Sequence, residues 1–298
     1  MADVLNAGNL FPQTLVTDMF SKVKGHSSLA RLSTAAPIPF NGLKEFTFSL
    51  DKEIDVVAES GAKSKGGSTA TPVTIVPVKV EYSARISDEF VKASDEVKLN
   101  YLTAFSDGFA KKVAKGIDIM AMHGFNPRTG TASTVIGTNH FDSAVSQIVT
   151  ESAGVTADAN IESAIALVQG SDCDVNGMAM SNTLKAALAA LTTTDGKKLY
   201  PELAWGNQPS MINGLPVDSN STVNFNSSLD RGIVGDFANA FKWRYAGDVS
   251  FEVIQYGNPD NDATLGDLKG HNQVLLRSEA YIGWAILDPN AFAIIKAA

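Results

Sequence analysis

Cysteine is almost missing from this chain: among 298 residues there is one, Cys173. A lone thiol closes no internal disulfide and supports no cysteine-based metal cluster. It reads as a small buried thiol suited to a reducing cytoplasm. The opening residues, MADVLNAGNLFP, lack both the basic and the apolar region of a signal peptide. No apolar run approaches membrane-spanning length. Charged residues are few, 19% against 44% hydrophobic, which is a globular composition long enough for one large domain or two ordinary ones. Catalytic signatures are missing too. His26, His123, His140 and His271 form no HExxH or other ligand spacing, there is no G-x-S-x-G elbow, and Trp205, Trp243 and Trp284 are too scattered to stack bases. His123 closes a helical pattern, where a cation suits the dipole. Asp172 and Asp174 read as solvated loop carboxylates. Asp260, Asp262 and Asp267 lack the glycine and glutamate positions of an EF-hand and read as a polar loop rather than a cation site. No catalytic residue, cofactor or metal ligand is assigned.

The charge that is present is uneven. Residues 1–128 carry 15 basic and 14 acidic residues, and residues 129–298 carry 9 and 18, within a net charge of −8. A diffuse acidic field repels phosphate, and no basic cluster offsets it, so sequence-specific nucleic-acid binding is not expected.

One stretch comes close to a nucleotide motif. GAKSKGGST, residues 61–69, has Gly61, Gly66 and Ser68 at the spacing of a phosphate-binding loop, but Gly67 stands where the lysine must be. A strand pattern follows it, where the motif needs a helix N-terminus. The flanks explain the stretch better. Phe46, Phe48 and Leu50 alternate before it; Val76, Val78, Val80, Tyr82, Ala84 and Ile86 alternate after it. Residues 44–86 therefore read as a two-stranded hairpin with a glycine-rich tip. Arms of about fifteen residues reach roughly 50 Å, and an isolated ribbon is marginal in water, so a neighbouring subunit is the natural support. Pro77 denies one ladder hydrogen bond and places this part on an edge or outside a central sheet.

Around the hairpin, residues 1–36 read as an arm with a small anchor: Leu15, Val16, Met19, Phe20 and Val23 fall at helical spacing before GHSSLARLSTAAP breaks the pattern. A long helix follows the hairpin, from Ser94 or Asp95 to Gly124, with an apolar stripe of Val97, Tyr101, Leu102, Phe105, Phe109, Val113, Ile117 and Met120. Gly108 and Gly116 inside it each cost about 1 kcal/mol against alanine, which a close-packed backbone would explain. Residues 135–245 alternate helix and strand: DANIESAIALVQG is helical with Asp158 as its cap, VNGMAMS is a buried strand, and Ser181 or Asn182 opens the next helix. The end is β again, with VSFEVIQYG, NQVLLRSEAYIGWAIL and AFAII as strands. The class is α+β.

Read in order, these elements resemble the major capsid protein of tailed bacteriophages, the Hong Kong ninety-seven fold shared with encapsulin shells. The resemblance is carried by FPQTLVTDMFSKVKGHSSLARL, AESGAKSKGGSTATPVTIVPVKVEYSARISDEFVKAS, MAMSNTLKAALAALTTTDGKKLYP, INGLPVDSN, GIVGDFANAFKWRYAGDVSFEVI and NQVLLRSEAYIGWAILDPNAFAII, over nearly the whole chain. It implies an N-terminal arm (1–36), an extended hairpin loop (44–86), a peripheral domain with a spine helix (87–134), an axial domain (135–245) and closing strands of the peripheral domain (246–298). It also implies an architectural function: hexamers and pentamers closing into an icosahedral virion shell around double-stranded DNA, held without sequence-specific contacts and assembled in the host cytoplasm. The implied partners are copies of the chain, a separate scaffolding protein and a portal protein, with no membrane. Glu59, Lys63 and Lys65 at the hairpin tip, and Phe11 and Pro12 in the arm, are the expected assembly contacts. The chain reaches the arm motif almost at once, so no scaffolding segment is expected within it, and no covalent Lys–Asn cross-link is expected from Lys63, Lys65 and Asn290. An encapsulin-like compartment is the near alternative. A nucleotide-dependent enzyme and an extracellular binding protein are distant ones, opposed by the missing lysine at 67 and the missing signal peptide and disulfides.

Overall fold

The computed structural model describes residues 27–92 and 95–298. The expected arm helix over Leu15–Val23, and with it Phe11 and Pro12, lies outside the described residues. In chain order the first elements are helix α1 (Ser28–Leu32) and strands β1 (Ala35–Pro37), β2 (Leu43–Leu50), β3 (Ser68–Ile75) and β4 (Val78–Ser87). Helices α2 (Glu89–Lys92) and α3 (Asp95–His123) follow, then a small hairpin of β5 (Phe125–Asn126) and β6 (Thr131–Ala132). Next come α4 (Phe141–Ala144), β7 (Ile148–Thr150), α5 (Ala157–Gln169), β8 (Gly177–Met180) and α6 (Asn182–Ala190). The chain closes with β9 (Met211–Ile212), β10 (Leu215–Ser219), β11 (Asp230–Gly235), β12 (Phe241–Ile254), β13 (Gln273–Ile286) and β14 (Phe292–Lys296).

Two sheets organise these elements. A four-stranded sheet has the order β1-β12-β13-β4, and a six-stranded sheet the order β7-β14-β11-β8-β10-β9. The six-stranded sheet is a wall between two cores, which is why its strands β8 and β14 read as unbroken apolar runs rather than alternations. Phe292, Ile294, Ile233 and Ala179 face the core that holds α3 and the four-stranded sheet. Ala293, Ile295, Val234, Met178 and Met180, their sequence neighbours, face a second core under α5 and α6. The first core is closed by aromatic packing, with Phe141 edge-on to Phe292 at 4.9 Å. Trp284 donates from Nε1 to the Asn139 carbonyl at 2.8 Å while Asn139 donates back to the Trp284 carbonyl at 2.9 Å.

Several expectations meet this architecture directly. The α3 stripe is buried at Leu102, Phe109, Val113, Ile117 and Met120. Ser181 caps α6 by accepting from the Leu184 amide at 3.2 Å. Others are corrected. Residues 78–87 leave the hairpin: β4 pairs antiparallel with β13, from Gln273↔Ser87 to Ile282↔Val78. The ribbon is β2 with β3 only, in register from Leu43↔Ile75 to Leu50↔Ser68. Pro77 is the reason, because it has no amide hydrogen to continue the ladder and so marks the break between β3 and β4. The boundary at 245/246 cuts through β12, and β14 joins the six-stranded sheet by pairing with β11 instead of closing with β12 and β13. Asp158 is not the cap of α5; Thr156 holds that position without a side-chain bond. Ile161 and Ile165 are only half-buried, and Ala157, Asn160, Ala164 and Val168 make the buried face. Cys173 is half-buried rather than fully so. The stretch expected to break the arm instead folds as α1, with Leu29 fully buried.

Candidate functional site

The β2–β3 hairpin has an inverted surface. Strand alternation puts Phe46, Phe48 and Leu50 on one face and Glu45 and Thr47 on the other, and it is the apolar face that meets solvent. Phe46 and Phe48 are each 68% exposed, and Ile54 and Val56 in the tip are 96% and 93% exposed. Together these five side chains offer on the order of 500 Å² of apolar surface in one projection, the size that marks an interaction site on a soluble protein. Covering that area is worth on the order of 10 kcal/mol before ordering costs.

The base of the hairpin is held firmly. Ile75, Ile38, Ala246 and Ala285 form a small core of their own. Phe40 stands edge-on to Tyr281 at 5.0 Å, and Arg244 on β12 pairs with Glu45 on β2. Gly283 is required here, because a Cβ at that position would lie 2.8 Å from the Ile75 side chain. The neck is closed by Asp51, whose amide donates to the Gly67 carbonyl at 3.2 Å and whose carboxylate accepts from the Gly67 amide. This settles the near-miss motif in physical terms. The amide that would cradle a phosphate already serves a carboxylate, and strand β3 follows. Glu59, Lys63 and Lys65 are all exposed in the tip, and the Lys65 carbonyl accepts from Lys52 Nζ at 3.2 Å. The hairpin thus brings the three tip residues into one projection, while Phe11 and Pro12 lie outside the described residues.

Behind the hairpin, two buried charge networks on α3 fix the body of the molecule. Asp118 accepts from Ser27 Oγ, from the Ser28 amide at 3.0 Å, the Leu29 amide at 3.2 Å, Thr222 Oγ1 at 2.7 Å and Asn220 Nδ2 at 3.2 Å. It anchors the start of α1 to the long helix. Burial pushes its pKa up to about 6 against the pull of these donors. Arg31 adds a salt bridge to Asp218 at 2.8 Å.

The second network surrounds His123. Its Nδ1 lies 2.7 Å from Asp142 and 3.3 Å from Asp230, and its Nε2 lies 3.0 Å from the Thr222 carbonyl. Both ring nitrogens face acceptors, so both carry protons. Burial alone would lower the pKa, but the Asp142 and Asp230 bonds outweigh it and raise it to about 9. Lys296 Nζ completes the cluster at 3.3 Å from Asp142 and 3.2 Å from Asp230. His123, Asp142 and Asp230 have ligand atoms close enough together for a cation. The Lys296 ammonium already stands against both carboxylates and a proton occupies the imidazole nitrogen that would bind, so the arrangement is an ion-pair network. No spacing in the sequence signals either network, because the partners come from elements about 90 to 170 residues apart or from opposite ends of loops. The Asp260 loop is likewise organised by a protein cation: Arg85 forks onto Asp260 at 2.6 and 2.8 Å and also reaches Asn258 and the Gly266 carbonyl. Among the described residues, no helix is long and apolar enough to cross a membrane.

Comparison with known proteins supplies what geometry alone does not. The family model described as the phage capsid family matches residues 7–297. A solved structure from Mycobacterium phage Ogopogo is similar at 31% identity with a TM-score of 0.78, covering 92% of each chain. One from Gordonia phage Cozz has 23% identity and a TM-score of 0.71, covering 93% of this chain and 86% of its own. The capsid of an empty GTA particle has 15% identity and a TM-score of 0.66, covering 92% of this chain and 97% of its own. These last two share the fold. No curated protein matches the chain.

Proposed function

The chain belongs to the phage capsid family and is a shell-forming major capsid protein of the Hong Kong ninety-seven type, located in the virion capsid, and from that premise we propose how its parts serve assembly. Copies associate as hexamers and pentamers and close into an icosahedral shell around double-stranded DNA, which is held without sequence-specific contacts. The observation that carries this reading is the hairpin's exposed apolar face on a firmly held base: a projection with surface that only another body can cover. Residues 43–75 are the extended loop that lies across a neighbouring copy. The six-stranded sheet with α5 and α6 is the axial body, and α3 with the four-stranded sheet is the peripheral body with α3 as its spine. Glu59, Lys63 and Lys65 contact the neighbour from the tip, and Phe11 and Pro12 contact it from the arm. A separate scaffolding protein and a portal protein are the further partners, assembly takes place in the host cytoplasm, and no catalytic step is needed.

Each contact is modest, but a closed shell multiplies it over many copies. The experiment is a double substitution, Phe46→Ser with Phe48→Ser. Both side chains are exposed, so the subunit's own melting temperature should hold within about 1–2 °C, in keeping with the small cost of surface changes. Each phenylalanine contributes about 1.5–3 kcal/mol when fully covered, so the concentration needed for shells should rise at least tenfold, as read by sedimentation. Shells forming at the wild-type concentration would remove the hairpin face from the account.

A further inference from the structure

The chain is acidic, yet the fold gathers one surface on which bases outnumber acids, with Asp107 at its edge one helical turn before Lys111. Three segments meet there. The first is residues 108–117 of α3, the second residues 124–139 including the β5–β6 hairpin, the third residues 219–229; none contains Asp or Glu. They touch one another. Pro127 lies 3.5 Å from where a Cβ on Gly116 would stand. Asn226 Nδ2 donates to the Gly130 carbonyl at 3.1 Å. Lys115 Nζ sits over the Phe225 ring at 6.0 Å. Lys111, Lys112 and Lys115 share one exposed helix face by their three- and four-residue spacing. Arg128 follows Pro127 and is also exposed. None of the four is in a salt bridge with a described residue.

We propose that this surface binds the phosphate backbone of duplex DNA, weakly and without regard to sequence, as the inner contact between shell and genome; the assignment rests on the reading that the shell encloses DNA. The chemistry favours nucleic acid over an acidic protein. Protein interfaces are depleted in lysine and built on buried apolar anchors, whereas here three lysines rise from a face that otherwise presents Ala104, Asp107 and Gly108. Lysine is a point charge suited to phosphate. The rim supplies amides and hydroxyls, Asn126, Thr129 and Asn226, of the kind that contact DNA backbone oxygens. Nothing on the surface is shaped to read base edges.

Four cations predict a definite salt response. Log affinity should fall with log salt with a slope of about −3.6, roughly a hundredfold loss between 50 and 200 mM. The test measures binding of the full-length subunit to two 40-base-pair duplexes of different sequence, for wild type and for Lys111→Ala/Lys112→Ala/Lys115→Ala/Arg128→Ala. Wild type should bind both duplexes equally with that slope. The variant should lose at least tenfold at 50 mM salt and most of the slope, with an unchanged melting temperature. Unchanged binding by the variant, an equal loss in a Lys63→Ala/Lys65→Ala control, or polyglutamate competing as well as DNA at equal charge would each overturn the proposal. Shell formation by the variant, read by sedimentation, reports separately on the architectural reading: intact shells with lost DNA binding are expected, and failure of wild type to form any shell would count against the enclosure on which the surface depends.

Discussion

His123 is protonated inside the molecule because the groups its ring nitrogens face accept hydrogen bonds. Its pKa is raised to about 9 from an ordinary 6.5, so the folded state binds a proton more tightly than the unfolded chain. Its contribution is therefore complete below pH 6.5 and is lost as pH rises through 9. At 1.36 kcal/mol per unit, the loss across that window is about 3 kcal/mol. Asp142 acts on the other side: burial opposes its charge, but His123 and Lys296 hold its pKa below the ordinary value, so its share is lost only in acid. Denaturant midpoints measured from pH 6 to 10 should fall steeply through this window in wild type and lie nearly flat in His123→Gln. Equal slopes in the two proteins would dismiss the network as a stabilising element. The helix end, which the sequence does encode, makes a cation at His123 reasonable, but its charge is held by partners that the sequence does not reveal. Asp142, Asp230 and Lys296 reach it through tertiary packing, and no local pattern encodes that meeting.

At the scale of elements, periodicity identifies what each segment is and fails at which segment it pairs with. The 3.6-residue stripe marks α3, and unbroken apolar runs mark β8 and β14. The alternation from Val78 to Ile86 is equally legible, but alternation does not name a partner: β4 pairs with β13, about 200 residues away, and not with β2. Pro77 carries the clue: it breaks the chain between two strands and leads into β4, which is an edge strand of its sheet, as expected. The same limit hides the basic surface, whose lysines and arginine are ordinary until α3 and two loops are folded together. Gly116 and Gly108 illustrate the two fates of a helix glycine. Gly116 lies against Pro127, but Gly108 has nothing within 4 Å of its Cβ position. Gly108→Ala should therefore stabilise the isolated subunit by about 1 kcal/mol, the ordinary helix-propensity gain, read as a shift in denaturant midpoint. A destabilised subunit would mean that α3 is strained at this point in a way its surroundings do not reveal.

The described residues form a well-anchored body from which an apolar hairpin projects. Two cores share the six-stranded sheet as their wall, α1 is pinned to α3 through Asp118, and the hairpin stands out from a base fixed by Glu45, Arg244 and Gly283. Such a body spends little of its surface on itself at the hairpin and reserves it for a neighbour. The order of elements is legible in the amino-acid sequence because capsid function lies in architecture and not in a few catalytic residues; the contact residues are not legible there, because they are defined by a neighbour. The most direct measurement is electron microscopy of the protein at high concentration, with the proposed scaffolding protein supplied. The account predicts closed isometric shells built of five- and six-membered capsomers. A protein that stays monomeric under those conditions would contradict it.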